Sequence, residues 1–439
     1  MKKPRKPPSF SFPDDFERTR SLFRHSSLTV RGKYLHWDKL LRYSPPGDLT
    51  HQEWWTAIKL ARKASYKEVP LVDKGGASFV YTQVDPIQER LHEIDKKTAG
   101  SIEVSDPITN PETKDRYYVS SLIEEAITSS QLEGATTTRQ IAREMIRAGR
   151  APRDRSEQMI LNNFLAMRRI GELRTQPLSV ETIFSIHQIV TEKTLHDSSA
   201  AGRLRTSHDE PVVVADENNE IFHHPPPPEE LEKRMEAMCR FANADDDGEF
   251  FHPVLRSIII HFWLAYDHPF VDGNGRTARA LFYWSMLHYG YWLFEFVSIS
   301  NEILRGPTKY SRAFLYTETD DNDLTYFILY HLDIIQRAIN DLHTYIKRKT
   351  QELQQLEGVI RSSMSLNHRQ RALISHALRH PNHLYTIESH RKSHDVVYQT
   401  GRSDLLDLSD KGLLEAIKIG RTRHFKPVPD LESRLSSKT

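Results

Sequence analysis

The stretch that most constrains this chain is His268-Pro-Phe-Val-Asp-Gly-Asn-Gly-Arg-Thr-Ala-Arg279, which lies between two apolar segments. Before it, Val254 to Ala265 reads as a helix that is apolar around most of its surface, so it belongs inside a layer of other helices. Its densest apolar run, Ser257 to Tyr266, is much shorter than the ~20 residues that cross a bilayer, and no membrane span is predicted. After the stretch, Ala278, Ala280, Leu281 and Trp284 set a second helix beginning just past Gly275. The two glycines flanking Asn274 let the backbone approach a ligand closely and turn consecutive amides one way, as an anion nest. The helix start brings its positive dipole end to the same spot. A phosphate fits there.

Three side-chain types complete the chemistry. Arg276 and Arg279, three apart, project from neighbouring positions and can grip a polyphosphate. Asp272 offers a hard oxygen ligand for Mg²⁺, which takes one or two carboxylates and completes its shell with phosphate and water. His268 is suited to accept a proton near neutral pH. Singly, each has an ordinary role, as a turn or a solvated helix face; together within twelve residues they form one constellation.

The stretch fits HxFx(D/E)GNGRxxR without a departure and resembles the signature of the Fic family, with the likeness extending over roughly residues 34–345. The resemblance implies a mainly α fold, a Fic helical bundle carrying a small β-hairpin flap, and a protein adenylyltransferase that uses Mg²⁺ and ATP. On that likeness His268 deprotonates a Tyr, Ser or Thr hydroxyl, which attacks the α-phosphate. Asp272 holds the metal. Phe270, Gly273, Asn274 and Gly275 form the nucleotide site, with Arg276 near the β-phosphate and Arg279 near the γ-phosphate. The residues themselves read Pro211 to Phe222 as a hairpin with a turn cluster at 216–219, stopped by prolines 225–228. The segment AGRLRTSHDEPVVVADENNEIFHHPPPP is similar to the family's flap, which makes Val212, Val213 and Val214 the target-docking edge.

Upstream, Val119, Leu122, Ile123, Ala126 and Ile127 recur at helical spacing, giving a helix over 117–133 with Gly134 as its cap. A carboxylate at Glu133, in the last turn, opposes the helix dipole and needs a partner. Ser129, Glu133 and Gly134 fit the family's inhibitory pattern (S/T)xxxE(G/N). The resemblance implies that Glu133 occupies Arg279 and so excludes the γ-phosphate. Three alternatives stay open: Glu133 faces solvent; it positions a water that removes AMP, making the enzyme bifunctional or predominantly reversing; or the nucleotide site is the sensor of a DNA-binding transcriptional regulator.

The rest of the 439 residues supply organisation. Residues 1–30, polar and with four prolines, are expected to lack structure. Residues 31–115 form an N-terminal helical region around Trp37, Trp54, Trp55, Ile58 and Leu60, and 116–345 form the catalytic domain. Helices are expected from about Thr138 and over 155–174, 179–194 and 229–244, and a long one from Ile328 to Ile346. A linker helix, 346–365, leads to a module at 366–428 with three helices and two short strands, similar to a winged helix-turn-helix.

With 60 basic and 59 acidic residues the chain is close to neutral, so any basic footprint is local. Residues 366–427 hold 11 Lys and Arg against 6 Asp and Glu, a formal +5. Asp404, Asp407 and Asp410 in the third helix argue against DNA there, leaving DNA and protein contact equal. The lone Cys239 reads as a core residue in a reducing compartment. A basic N-terminus followed by prolines rather than an apolar signal core suits a cytoplasmic protein. His223, His224, His252 and His261 lack a zinc-ligand spacing with a third partner and are expected in packing and surface roles. The partners implied are ATP, a protein bearing the hydroxyl, the chain itself as acceptor or as the other half of a homodimer, and DNA or protein at the C-terminal module.

Overall fold

Two helices, Pro253–Asp267 and Asn274–His288, lie side by side at the centre of the larger unit, and their composition explains why. Every residue of the first except Pro253 and Ala265 is buried, and every residue of the second except Gly275 and His288. Helices buried on nearly all faces must be enclosed by others. Ser257 Oγ donates to Ser285 Oγ at 2.8 Å, pairing the start of one with the end of the other, as two antiparallel helices joined by a short loop require. Around them pack Arg155–Leu173, Val180–Thr191 and Leu231–Ala242.

The computed structural model describes residues 2–13, 15–98, 111–215, 220–245, 249–362, 365–419 and 422–436. The larger unit comprises Met1–Gly100 and Ser121–Ile339, the smaller Ser101–Ser120 and Asn340–Thr439. Among the described residues no helix is long and apolar enough to cross a membrane.

The N-terminal region departs from the sequence reading in three respects. Within 1–30, expected to lack structure, Phe16–Arg24 is a helix. Asp15 caps it by accepting the Glu17 amide, and Leu22 is fully buried in the cluster of Trp37, Trp54, Trp55 and Ile58. The four prolines of this segment all precede the helix. Residues 31–115, expected to be helical, contain an antiparallel hairpin, Tyr66–Val72 with Ser78–Thr82, whose alternating apolar residues flank a turn at Gly75 and Gly76. Finally, this region belongs to the larger unit and is tied into it by buried charge. Lys59 Nζ reaches Asp320 at 2.8 Å, Tyr34 donates to Asp323 at 2.6 Å, and Arg62 donates to Tyr326 at 2.7 Å. Removing one partner would strand a buried charge, a loss of about 3–5 kcal/mol.

Elsewhere the expected helices appear, at Arg139–Ala148 capped by Thr138, Arg155–Leu173, Val180–Thr191 and Leu231–Ala242. The long amphipathic helix and the linker helix are one continuous element, Thr325–Ser362. Cys239 is buried, and burial raises its thiol to about 12. Three of the four histidines hold partners: His223 bonds the Tyr266 carbonyl and Glu318, His252 bonds Asp95, and His261 bonds Tyr310.

In the smaller unit, helices His368–Arg379, Ile387–His394 and Tyr398–Asp410 precede strands Leu414–Ile419 and Thr422–Pro427. A short strand, Tyr385–Thr386, joins the hairpin and makes a three-stranded antiparallel sheet. Leu373, Ile374, Leu405, Leu408 and Phe425 fill the core of this unit.

Candidate active site

The loop from His268 to Gly273 is shaped by its own residues. His268 ends the first central helix in the left-handed region, φ 45°, with its amide donating to the Leu264 carbonyl at 3.0 Å. A non-glycine residue there is strained, and Arg205 holds it. The Arg205 Nε donates to the His268 carbonyl at 2.9 Å and its Nη2 to the Pro226 carbonyl at 2.5 Å, while the Arg205 amide donates to the Pro269 carbonyl at 2.9 Å. Asn274 closes the loop from the other side. Its side chain accepts from the Phe270 amide at 2.9 Å and donates to the Phe270 carbonyl at 2.8 Å. Gly273 has φ 86°, and a Cβ there would meet Thr191 Cγ2 at 2.7 Å.

The His268 ring places Nδ1 3.2 Å from the Ala265 carbonyl. A carbonyl only accepts, so Nδ1 carries the proton and Nε2 keeps its lone pair. Burial pulls the imidazole down to about 4, against small upward contributions from the Ala265 bond and Glu133. The ring is therefore neutral and able to accept a proton across the neutral range.

Asp272 faces two guanidinium groups, Arg155 at 3.3 Å and Arg276 at 3.6 Å, and remains well exposed. Among the described residues no group of three or more acidic, His or Cys side chains could hold an ion by itself. One exposed carboxylate at an anion nest suits a metal that arrives with phosphates. The Arg276 guanidinium is almost wholly buried. Nη1 donates to the Val190 carbonyl at 2.9 Å, whereas Nε and Nη2 have no hydrogen-bond partner. Buried donors left unmade cost about 1–3 kcal/mol each, and phosphate oxygens would satisfy them.

Arg279 is engaged by the segment that contains Ser129 and Glu133. Its Nε donates to Ser129 Oγ at 2.7 Å, and its Nη2 donates to the Ser129 carbonyl and to Glu133 Oε1, both at 2.9 Å. Burial alone would lower this guanidinium, but Glu133 and Tyr310 outweigh it and raise the group above the usual range. The helix bearing Ser129 runs Pro111–Gln131, so Glu133 lies in the turn just past its end rather than in its last turn. Gly134 follows at φ 89°. The turn carries the carboxylate over the start of the motif helix, where no side chain caps the backbone. A Cβ at Gly275 would collide with Glu133 Oε1 and stand 3.2 Å from Arg279 Nη1. A carboxylate thus sits where the loop offers an anion its place.

Of the residues assigned to the nucleotide, Gly273, Gly275, Arg276 and Arg279 converge on this spot. Phe270 and Asn274 are buried beneath it and shape the loop. Among the described residues the hairpin pairs Val214 with His223 and Ala215 with Ile221; Val212 and Val213 precede the strand, and the turn expected at 216–219 lies outside the described residues.

Two residues that carry the loop escaped the sequence reading. Arg205 is one. The other is His187, whose ring stacks on Phe270 at 3.7 Å between centroids. It accepts the Gly202 amide at Nδ1 (3.0 Å) and donates from Nε2 to the Asp272 carbonyl (2.9 Å). Burial lowers it to about 4, keeping it neutral. Its signal was a histidine on the apolar face of Ile183, Ile186 and Val190. Replacing His187 by alanine is expected to cost about 1–3 kcal/mol of stability through the two stranded backbone groups, measured by chemical denaturation.

Residues 177–286 match the Fic/DOC family. Over 209 residues the chain is 29% identical to the protein adenylyltransferase Fic of Nematostella vectensis, covering 44% of this chain and 43% of that protein. It is 39% identical over 57 residues to the protein of the same name from Drosophila melanogaster, 13% of this chain and 11% of that one. The chain thus spans less than half the length of the curated relatives it matches. A crystal structure of a Fic family protein from Desulfovibrio desulfuricans superposes with a TM-score of 0.52 at 17% identity, covering 80% of this chain and 98% of that one, a likeness of fold.

Proposed function

The chain belongs to the Fic/DOC family, and from that premise we propose that it is a protein adenylyltransferase, moving AMP from Mg-ATP to a Tyr, Ser or Thr hydroxyl and held at rest by Glu133. The observation that carries this reading is the contact of Arg279 with both Ser129 and Glu133 directly over Gly275. An anion-binding helix start, two arginines and a neutral histidine meet there, and an internal carboxylate already occupies part of the space.

In the reaction, His268 Nε2 takes the proton from the acceptor hydroxyl. The hydroxyl oxygen bonds to the α-phosphorus as the bond to the bridging oxygen breaks, and pyrophosphate leaves with the electron pair. Arg276, whose Nε and Nη2 have no hydrogen-bond partner, balances charge on the phosphates. Asp272 would hold Mg²⁺, which when bound would neutralise charge on the phosphate oxygens. Arg205 and His187 are positioning residues that fix the backbone of His268 and Asp272. The flap edge at Val212–Val214 presents main chain to an extended target segment.

The test is pyrophosphate release that depends on an acceptor protein and stops when the acceptor's modified hydroxyl is removed. ATP hydrolysis indifferent to the acceptor would refute the reading. The metal assignment has its own measurement. Asp272→Ala is expected to make nucleotide affinity insensitive to Mg²⁺ in calorimetric titrations with and without the ion; an unchanged metal dependence would move the ligand elsewhere.

A further inference from the structure

We propose that the helix Tyr398–Asp410 of the smaller unit binds duplex DNA, as the second helix of a helix-turn-helix formed with Ile387–His394. The two helices are joined by three residues, Asp395 to Val397, with Asp395 left-handed at φ 47°. They cross closely at Gly401, where a Cβ would stand 3.3 Å from the Ile387 carbonyl. In this motif the start of the second helix enters the major groove.

Of the acidic residues that argue against DNA in the sequence, the fold buries one and pairs a second at the surface. Asp404 is buried and accepts from Arg369 Nε at 2.6 Å, Asn367 Nδ2 at 2.7 Å and His390 Nε2 at 3.2 Å. Asp407 accepts from Gln370 Nε2 at 2.7 Å and from Lys411. Asp410 is exposed, but at the far end of the helix. What the first half of the helix presents to solvent is Tyr398, Gln399, Arg402 and Ser403, positions that share one face. Arginine and glutamine are the side chains that read guanine and adenine edges.

Exposed cations that suit backbone phosphates lie on neighbouring elements of the unit. Lys392 lies on the preceding helix, and Lys418 and Arg423 lie opposite each other on the hairpin. Residues 366–427 are formally +5, and one of their six acids, Asp404, is buried. Glu388, Asp395, Asp410 and Glu415 are exposed as well, so the complementarity to a polyanion rests on the net positive charge of the unit. None of these residues belongs to the nucleotide site, so the inference stands apart from the proposed reaction.

The experiment is fluorescence anisotropy of the full chain with a labelled mixed-sequence duplex over a series of salt concentrations. Three phosphate contacts predict a log–log salt slope of about −2.7. The Lys418→Ala, Arg423→Ala double variant should reduce that slope by about 2, and Arg402→Ala should weaken binding about tenfold or more. All three residues are exposed, and helical circular dichroism reports that each variant folds. No retention of DNA at the lowest salt, or retention that these substitutions leave unchanged, overturns the proposal. So would a finding that Val397 and Tyr398, both largely exposed, instead bury against a second copy, seen as a dimer that DNA does not dissociate and Tyr398→Ser does.

Discussion

Replacing Glu133 by glycine is expected to raise AMP transfer, including transfer to the chain itself, by about 5- to 150-fold, the range of a 1–3 kcal/mol coupling between sites. The carboxylate holds Arg279 at 2.9 Å and lies over Gly275. A nucleotide entering beside it must place its terminal phosphate elsewhere, which takes the α-phosphorus out of line with the acceptor. Removing the carboxylate leaves Arg279 positioned by Ser129, which still accepts from Nε and Nη2. The activated variant therefore needs the arginine it has freed. Adding Arg279→Ala to Glu133→Gly should return transfer to the resting level or below. A Glu133→Gly protein no more active than the parent, tested with a competent acceptor, would leave the Ser129–Glu133 segment a structural tie.

Replacing His268 by alanine is expected to lower transfer by about 10²–10⁴-fold, the contribution of a placed general base, while Mg-ATP affinity stays within a few-fold. The separation follows from the geometry. The proposed phosphate grip comes from Gly275, Arg276 and Arg279, whereas among the described residues the His268 ring is hydrogen-bonded to the Ala265 carbonyl. The acid side of the pH profile carries a second signature. Because burial lowers the imidazole to about 4, the base stays unprotonated as pH falls through the usual histidine range. The rate should then decline nearer pH 4 than pH 6.5. A fall centred at 6.5 would mean that the ring is solvated when the acceptor binds.

The chemistry of the loop was legible because it is local. Glycine spacing, the arginine pair and the histidine lie within twelve residues, and the two apolar helices around them can only be a core. That Glu133 needs a partner was legible through a conflict, a carboxylate near a helix C-terminus without a local partner, and the choice of Arg279 came from the family resemblance. The pair's precise setting was not legible, since the sequence gives no sign that the helix stops at Gln131 and lets a turn lift Glu133 over Gly275. His187 and Arg205 were hidden for another reason. Each acts by hydrogen bonds to backbone far away in sequence, 85 residues for His187 to Asp272 and 63 for Arg205 to His268, and no periodicity reports such a bond. The N-terminal hairpin was obscured by its neighbours, whose helical spacing around Trp54 and Trp55 was carried too far along the chain. In the smaller unit the order of elements followed from local patterns. The inward turn of Asp404 did not, because it depends on Arg369 and Asn367 lying in a different helix.

The most direct measurement of the central claim compares two labels in the Glu133→Gly protein. With an acceptor protein and Mg²⁺ present, ATP labelled at the α-phosphate should leave its label covalently on protein, and ATP labelled at the γ-phosphate should leave none, the difference being abolished by His268→Ala. Label retained from the γ-position would make the chain a kinase, and label retained from neither would contradict transfer of AMP altogether.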